Sequence, residues 1–177
     1  MSKEDVASIH DTPKQHIPLA GCASDGWSTE DEATATCFCG AVQLSFPTSG
    51  PGLMESLICH CTDCRKITAS MFASLFIIVD THLKHRRGQE KLTVFSQSQT
   101  IPSGDTVSNY FCSTCGSLMY RKSTAFPGAS ALRIGTVDDF HLHETKLKPR
   151  VEQFTHNRVA WLRQLDGVKQ AERSAFS

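Results

Sequence analysis

Seven of the eight cysteines in this 177-residue chain fall into three short clusters. They are Cys37-Phe38-Cys39, Cys59-His60-Cys61-Thr62-Asp63-Cys64 and Cys112-Ser113-Thr114-Cys115. Clusters so tight call for metal. A disulfide inside C-x-C would close a very small, strained ring, and that unit occurs twice. The two outer pairs supply four thiolates, enough to close a tetrahedral structural zinc site. The central cluster supplies three and leaves a fourth position for water or substrate. His60 is a poor candidate for that position, because in an extended chain it points opposite to Cys59 and Cys61. A remote fourth ligand, making a second structural site, is the alternative that spacing leaves open. Arg65 and Lys66 follow Cys64 directly and are the candidates for offsetting thiolate charge and for contacting an anionic cofactor.

Composition narrows the context. Lys plus Arg equals Asp plus Glu, 18 each, so the whole-protein charge gives no argument for nucleic acid or an anionic membrane. The longest apolar run, Met71 to Val79, has the length of a buried strand and not of a membrane span. Met1 to Pro13 is polar, without the basic-then-apolar pattern of a secretory signal. A cytoplasmic setting is therefore expected, where clustered cysteines bind metal or do chemistry more often than they form disulfides.

The pattern along the chain is many short strands and few helices, which predicts a mainly β domain. Residues 1–33 read as an extended arm from which Ile17, Leu19 and Trp27 can dock. Cys22 reads as a free surface thiol. A strand is expected over Thr36–Phe46, placing Cys37 and Cys39 on one face. Further strands are expected over Leu53–His60, Met71–Val79, Lys91–Ser98, Thr106–Phe111, Ser117–Arg121, Ala131–Val137 and Val151–Thr155. The basic run Thr81–Gly88 reads as a solvated loop, with an anion contact as the sharper reading. His141 and His143, two apart near Asp138 and Asp139, read as a polar loop, with another metal site as the sharper reading. Asn157 is expected to cap a short C-terminal helix carrying Val159, Trp161, Leu162 and Leu165, ended by Gly167. Residues 168–177 are expected to fray.

In this order the chain carries Cys37-Phe38-Cys39-Gly40-Ala41-Val42, Cys59-His60-Cys61-x-x-Cys64-Arg65-Lys66, Phe111-Cys112-x-x-Cys115-Gly116-Ser117 and Arg133-Ile134-Gly135-Thr136-Val137-Asp138-Asp139. These motifs resemble the glutathione-dependent formaldehyde-activating family, which also includes centromere protein V. The resemblance spans about Thr34 to Leu165, within a domain bounded at 34–167. It implies a β-tent fold with sheets meeting near the zinc sites. It implies that Cys37, Cys39, Cys112 and Cys115 hold a structural zinc and that Cys59, Cys61 and Cys64 hold a catalytic one. The activity implied is a lyase-type reaction at a carbon–sulfur bond, with glutathione or a thiol adduct of a small carbonyl as substrate. His60, Asp63 and His156 are candidates for moving the proton. A thiol-independent zinc hydratase, hydrolase or isomerase is the alternative, and a non-enzymatic binding module a third. The expected partner is a small molecule, with no nucleic acid and no membrane; a homo-oligomer is compatible. The chain departs from the family in carrying Glu152 where a histidine is common.

Overall fold

The structure is a computed structural model that describes residue 17 and residues 20–176. Leu19 lies outside the described residues. Strands and helices follow in the order β1 (Glu32–Thr36), β2 (Gln43–Pro47), β3 (Leu53–Cys59), α1 (Thr62–Thr68), β4 (Ala73–Val79), β5 (Lys84–Arg87) and β6 (Leu92–Gln97). They continue with β7 (Val107–Cys112), β8 (Leu118–Ser123), β9 (Ala129–Arg133), α2 (Phe140–Glu144), β10 (Val151–Gln153) and β11 (Lys169–Ala171). The strands form a three-stranded sheet, β1-β2-β5, and an eight-stranded sheet, β11-β10-β3-β4-β9-β8-β7-β6. The expected mainly β architecture is present. The large sheet is mixed, because β10 runs parallel to both β3 and β11 while the other pairs are antiparallel.

β4 shows how the sequence divides the interior. It lies between β3 and β9, so both of its edges are paired, and its two faces feed two different buried clusters. Phe76 and Ile78 point into a core shared with the small sheet, where Ala33, Ala35, Leu44 and Phe46 meet them. The Phe46 and Phe76 rings lie 4.6 Å apart. Ala73, Leu75 and Ile77 point the other way, into a second cluster with Leu57, Val151, Cys59 and Cys64. A two-residue period in one strand thus feeds two cores. The central cysteines belong to the second.

Five expectations are corrected. The strand over Thr36–Phe46 is two strands, because the chain turns back between Thr36 and Gln43. Gly40, at φ 81°, makes that reversal without a side-chain penalty. The basic run is not a loop: β5 pairs with β2 as an edge strand. Its cations are already engaged, Lys84 with Glu32, Arg87 with Asp25, and Arg86 over the Trp27 ring. The helix after Asn157 does not form. A 3-10 turn covers Thr155–Asn157, and Trp161 is 72% exposed. A helix that short needs a buried apolar face, and this segment finds none. Residues after Gly167, expected to fray, contribute β11. Phe140–Glu144 is a one-turn helix where a polar loop was expected.

The segment before β1 is tied down. The Cys22 amide donates to Phe38 O at 2.7 Å, and Thr34 Oγ1 donates to Trp27 O at 3.0 Å. Cys22 itself is exposed.

Two half-buried histidines give the fold a pH dependence. Burial holds His85 and His143 below the ordinary 6.5, with Lys122 adding to the effect at His85. The folded state therefore resists protonating them. Their contribution is intact above pH 6.5 and is lost as pH falls through the lowered values. Urea denaturation at stepwise lower pH should show stability declining below pH 6.5. A His85→Gln/His143→Gln chain should decline less; an identical decline would remove these groups as the cause.

Candidate metal centres

The first centre forms where two hairpin tips meet. One tip joins β1 to β2 and carries Cys37 and Cys39; the other joins β7 to β8 and carries Cys112 and Cys115. The Phe38 amide donates to Ser117 Oγ at 3.0 Å, which locks the tips together. The four sulfurs all lie within 4.8 Å of one another, with Cys37–Cys39 at 3.6 Å and Cys39–Cys112 at 3.7 Å. Four sulfurs in a tetrahedron at about 2.3 Å from zinc stand about 3.8 Å apart, so the set fits that ion. The Val42 amide points at Cys37 Sγ from 3.2 Å, as a thiolate requires. Burial pushes the Cys37 thiol up to about 12. Burial would raise Cys115 as well, but hydrogen bonds from the Ser117 hydroxyl and amide hold it to about 6. Opposed shifts among touching sulfurs mean that they share negative charge, and a bound cation resolves that conflict.

Gly40 and Gly116 each follow the second cysteine of a pair, at φ 81° and 76°. Their surroundings differ. A Cβ on Gly40 would stand 2.8 Å from Ala23 Cβ, whereas one on Gly116 would meet nothing within 4 Å. Gly116→Asn should therefore cost at most a few tenths of a kcal/mol, since asparagine tolerates this conformation. Gly40→Ala adds a clash to the backbone penalty and should cost about 2 kcal/mol or more. Melting temperatures of the two variants check this; equal values would contradict it.

The second centre sits where β3 runs into α1. Cys59 ends β3, Cys61 caps α1 and accepts the Cys64 amide at 3.3 Å, and Cys64 lies in the first turn. Their three sulfurs lie within 4.8 Å of one another. Cys59 and Cys64 are buried and Cys61 is half-buried, so access is from the side of Cys61. Among the described residues no fourth His, Cys, Asp or Glu joins the set. The spacing argument against His60 agrees with its placement. His60 is fully buried, turned toward Glu152 Oε1 at 3.7 Å, with Phe72 at its edge. Burial holds it below its ordinary value, so it is neutral near pH 7. Glu152 is also buried and accepts from Arg158 at 2.8 Å.

The cations at this centre are not those adjacent in sequence. Arg65 donates to Asn157 O at 3.2 Å and to Met71 Sδ at 3.6 Å, and Lys66 is exposed. Instead Arg121, from β8, brings Nη1 to 3.7 Å from Cys64 Sγ. Arg133, from the end of β9, is 5% exposed, and among the described residues none of its guanidinium nitrogens meets a hydrogen-bond partner. Sharing with Cys59 and Cys61 lowers the Cys64 thiol well below its usual range, and Arg133 and Arg121 lower it further. The signal for Arg133 was a lone cation in the apolar run Ala131-Leu132-Arg133-Ile134. Among the other sequence candidates, Asp63 accepts from Thr100 Oγ1 and lies 3.4 Å from Gln97 Nε2. His156 Nδ1 meets Glu172 O, and His143 Nε2 meets Val137 O at 3.2 Å.

The sequence profile of the family described as glutathione-dependent formaldehyde-activating enzyme matches residues 32–157. The chain belongs to this family. The matched span contains both cysteine centres, Arg121, Arg133 and Glu152. Among solved structures, the chain is similar to a Rhodobacter sphaeroides protein at 21% identity and a TM-score of 0.44, over 58% of this chain and 85% of that one. No curated protein sequence matches the chain. Among the described residues no helix is long and apolar enough to cross a membrane.

Proposed function

We propose that this family member is a zinc enzyme that makes or breaks a carbon–sulfur bond, with glutathione or a glutathione adduct of a small carbonyl compound as substrate. The observation that carries this reading is the contrast between the two centres. One set brings together four sulfurs, enough to close a coordination sphere, while the other brings together three, which would leave it unfinished. Zinc held by Cys59, Cys61 and Cys64 would supply Lewis acidity and a preference for thiolate. The chain's own residues do the rest. Buried Cys59 and Cys64 keep water from the inner side of the site, and half-buried Cys61 marks its entrance. Arg121 and Arg133 add to the thiolate character that sharing with Cys59 and Cys61 gives the Cys64 sulfur. Exposed Lys66, with Arg65 beside it, is assigned to the carboxylates of glutathione. The four-sulfur centre, fully coordinated, has a structural role.

The test is turnover of S-hydroxymethylglutathione by the zinc-loaded protein and by Cys61→Ser. Loss of a direct ligand should cost more than the 10–100-fold typical of outer-shell partners, about a hundredfold or more here. Folding should be intact. Unchanged turnover in the variant would remove the central cluster from the reaction. Turnover of a carbonyl substrate without any added thiol would favour a hydratase or hydrolase instead.

A further inference from the structure

The two arginines at the central cluster lack what several other cations of this protein have. Arg87, Arg150, Arg158, Lys84 and Lys122 each meet a carboxylate. No carboxylate ion pair forms at Arg121 or Arg133 among the described residues, and Arg133 is almost wholly enclosed. A buried guanidinium without hydrogen-bond partners is costly unless a nearby negative charge answers it. The Cys64 sulfur, 3.7 Å from Arg121 Nη1 and attracting Arg133 through its charge, supplies part of that answer.

Charge counting shows that it does not supply all of it. With a divalent ion in place, three thiolates leave a net charge of minus one. Two guanidiniums, which never lose their protons in a protein, add plus two. The sum is plus one in a largely buried site. A neutral fourth ligand, such as water or imidazole, leaves that excess uncompensated. A monoanion removes it. The four-sulfur centre needs no such partner, because its own fourth thiolate already fills the sphere.

We propose that Arg121 and Arg133 make the open position of the Cys59–Cys61–Cys64 centre selective for an anionic fourth ligand, and that this ligand is the thiolate of the thiol co-substrate. The inference rests on the function proposed above and names the residues that set its ligand preference. The thiol binds after releasing its proton to solvent, so no other reactant is needed. Among monoanions a thiolate is preferred because the centre is soft. Arg121 and Arg133 act here as specificity residues through charge.

Cobalt-loaded protein tests this without reference to activity, since visible absorption reports the ligands of the open centre. The closed four-sulfur centre contributes a constant background. Glutathione, azide and imidazole are titrated as thiol, hard anion and neutral probe. Arg121→Gln and Arg133→Gln should each weaken glutathione and azide binding tenfold or more, and leave imidazole within about twofold. Arg121→Lys should recover most of the loss. Arg121 is only half-buried, so its variants remain informative if Arg133→Gln fails to fold. Glutathione binding as tight in Arg121→Gln as in the parent, or an equal loss for imidazole, overturns this inference alone. A cobalt spectrum that Cys61→Ser leaves unaltered overturns the functional reading and this inference with it.

Discussion

Replacing Cys112 by serine is expected to leave the chain unable to hold its fold. Cys112 is fully buried, and its sulfur stands 3.7 Å from that of Cys39, 73 positions away in sequence. A metal held there would join a hairpin of the small sheet to a hairpin of the large one and so close the core between them. Structural zinc contributes on the order of 10 kcal/mol or more to a small domain. Total stability is only about 5–15 kcal/mol, so losing the ion removes most or all of it. Cys61→Ser is expected to behave differently. Its cluster ties residues only five positions apart, from Cys59 to Cys64, so little loop-closure entropy is at stake. Circular dichroism melts with zinc content measured on the same samples decide this. A cooperative Cys112→Ser melt near the parental temperature would refute the stapling role. Collapse of both variants alike would show that the central cluster is structural too.

What the sequence made legible follows from what sequence encodes locally. Seven cysteines at ligand spacing disclosed both centres, and the structure brings the same residues together. Strand order along the chain was also readable, because two-residue alternation survives in each short segment. What escaped was anything set by pairing across the sheet. Arg121 and Arg133 reach Cys64 from two other strands, 57 positions away in the case of Arg121. The sequence pointed to Arg65 and Lys66 because they are adjacent, but α1 carries them past the sulfurs toward Asn157 and solvent. The helix expected after Asn157 had a cap and apolar spacing, but no apolar surface to cover. Conversely, Lys169–Ala171 has no strand signature of its own and forms β11 because β10 offers it a parallel edge.

Glu152→Leu is expected to destabilise the fold by about 3–5 kcal/mol, the cost of removing one partner from a buried ion pair. Glu152 is 1% exposed and lies between His60 and Arg158. Burial keeps His60 neutral, so the carboxylate charge is answered by Arg158. Without Glu152 the Arg158 guanidinium keeps only Gln170 among its described side-chain partners, and His60 loses the carboxylate it faces. Both losses fall on β10, whose register sets Gln153 beside Cys59, so the central cluster should loosen along with the fold. In a chain of this size the drop in melting temperature should be roughly 10 °C. The double variant Glu152→Leu/Arg158→Leu separates charge from packing. Removing both ions leaves no uncompensated charge, so it should regain at least half of the loss. If the two single changes add in the double variant, the pair is not an electrostatic unit, and Glu152 contributes through its volume alone.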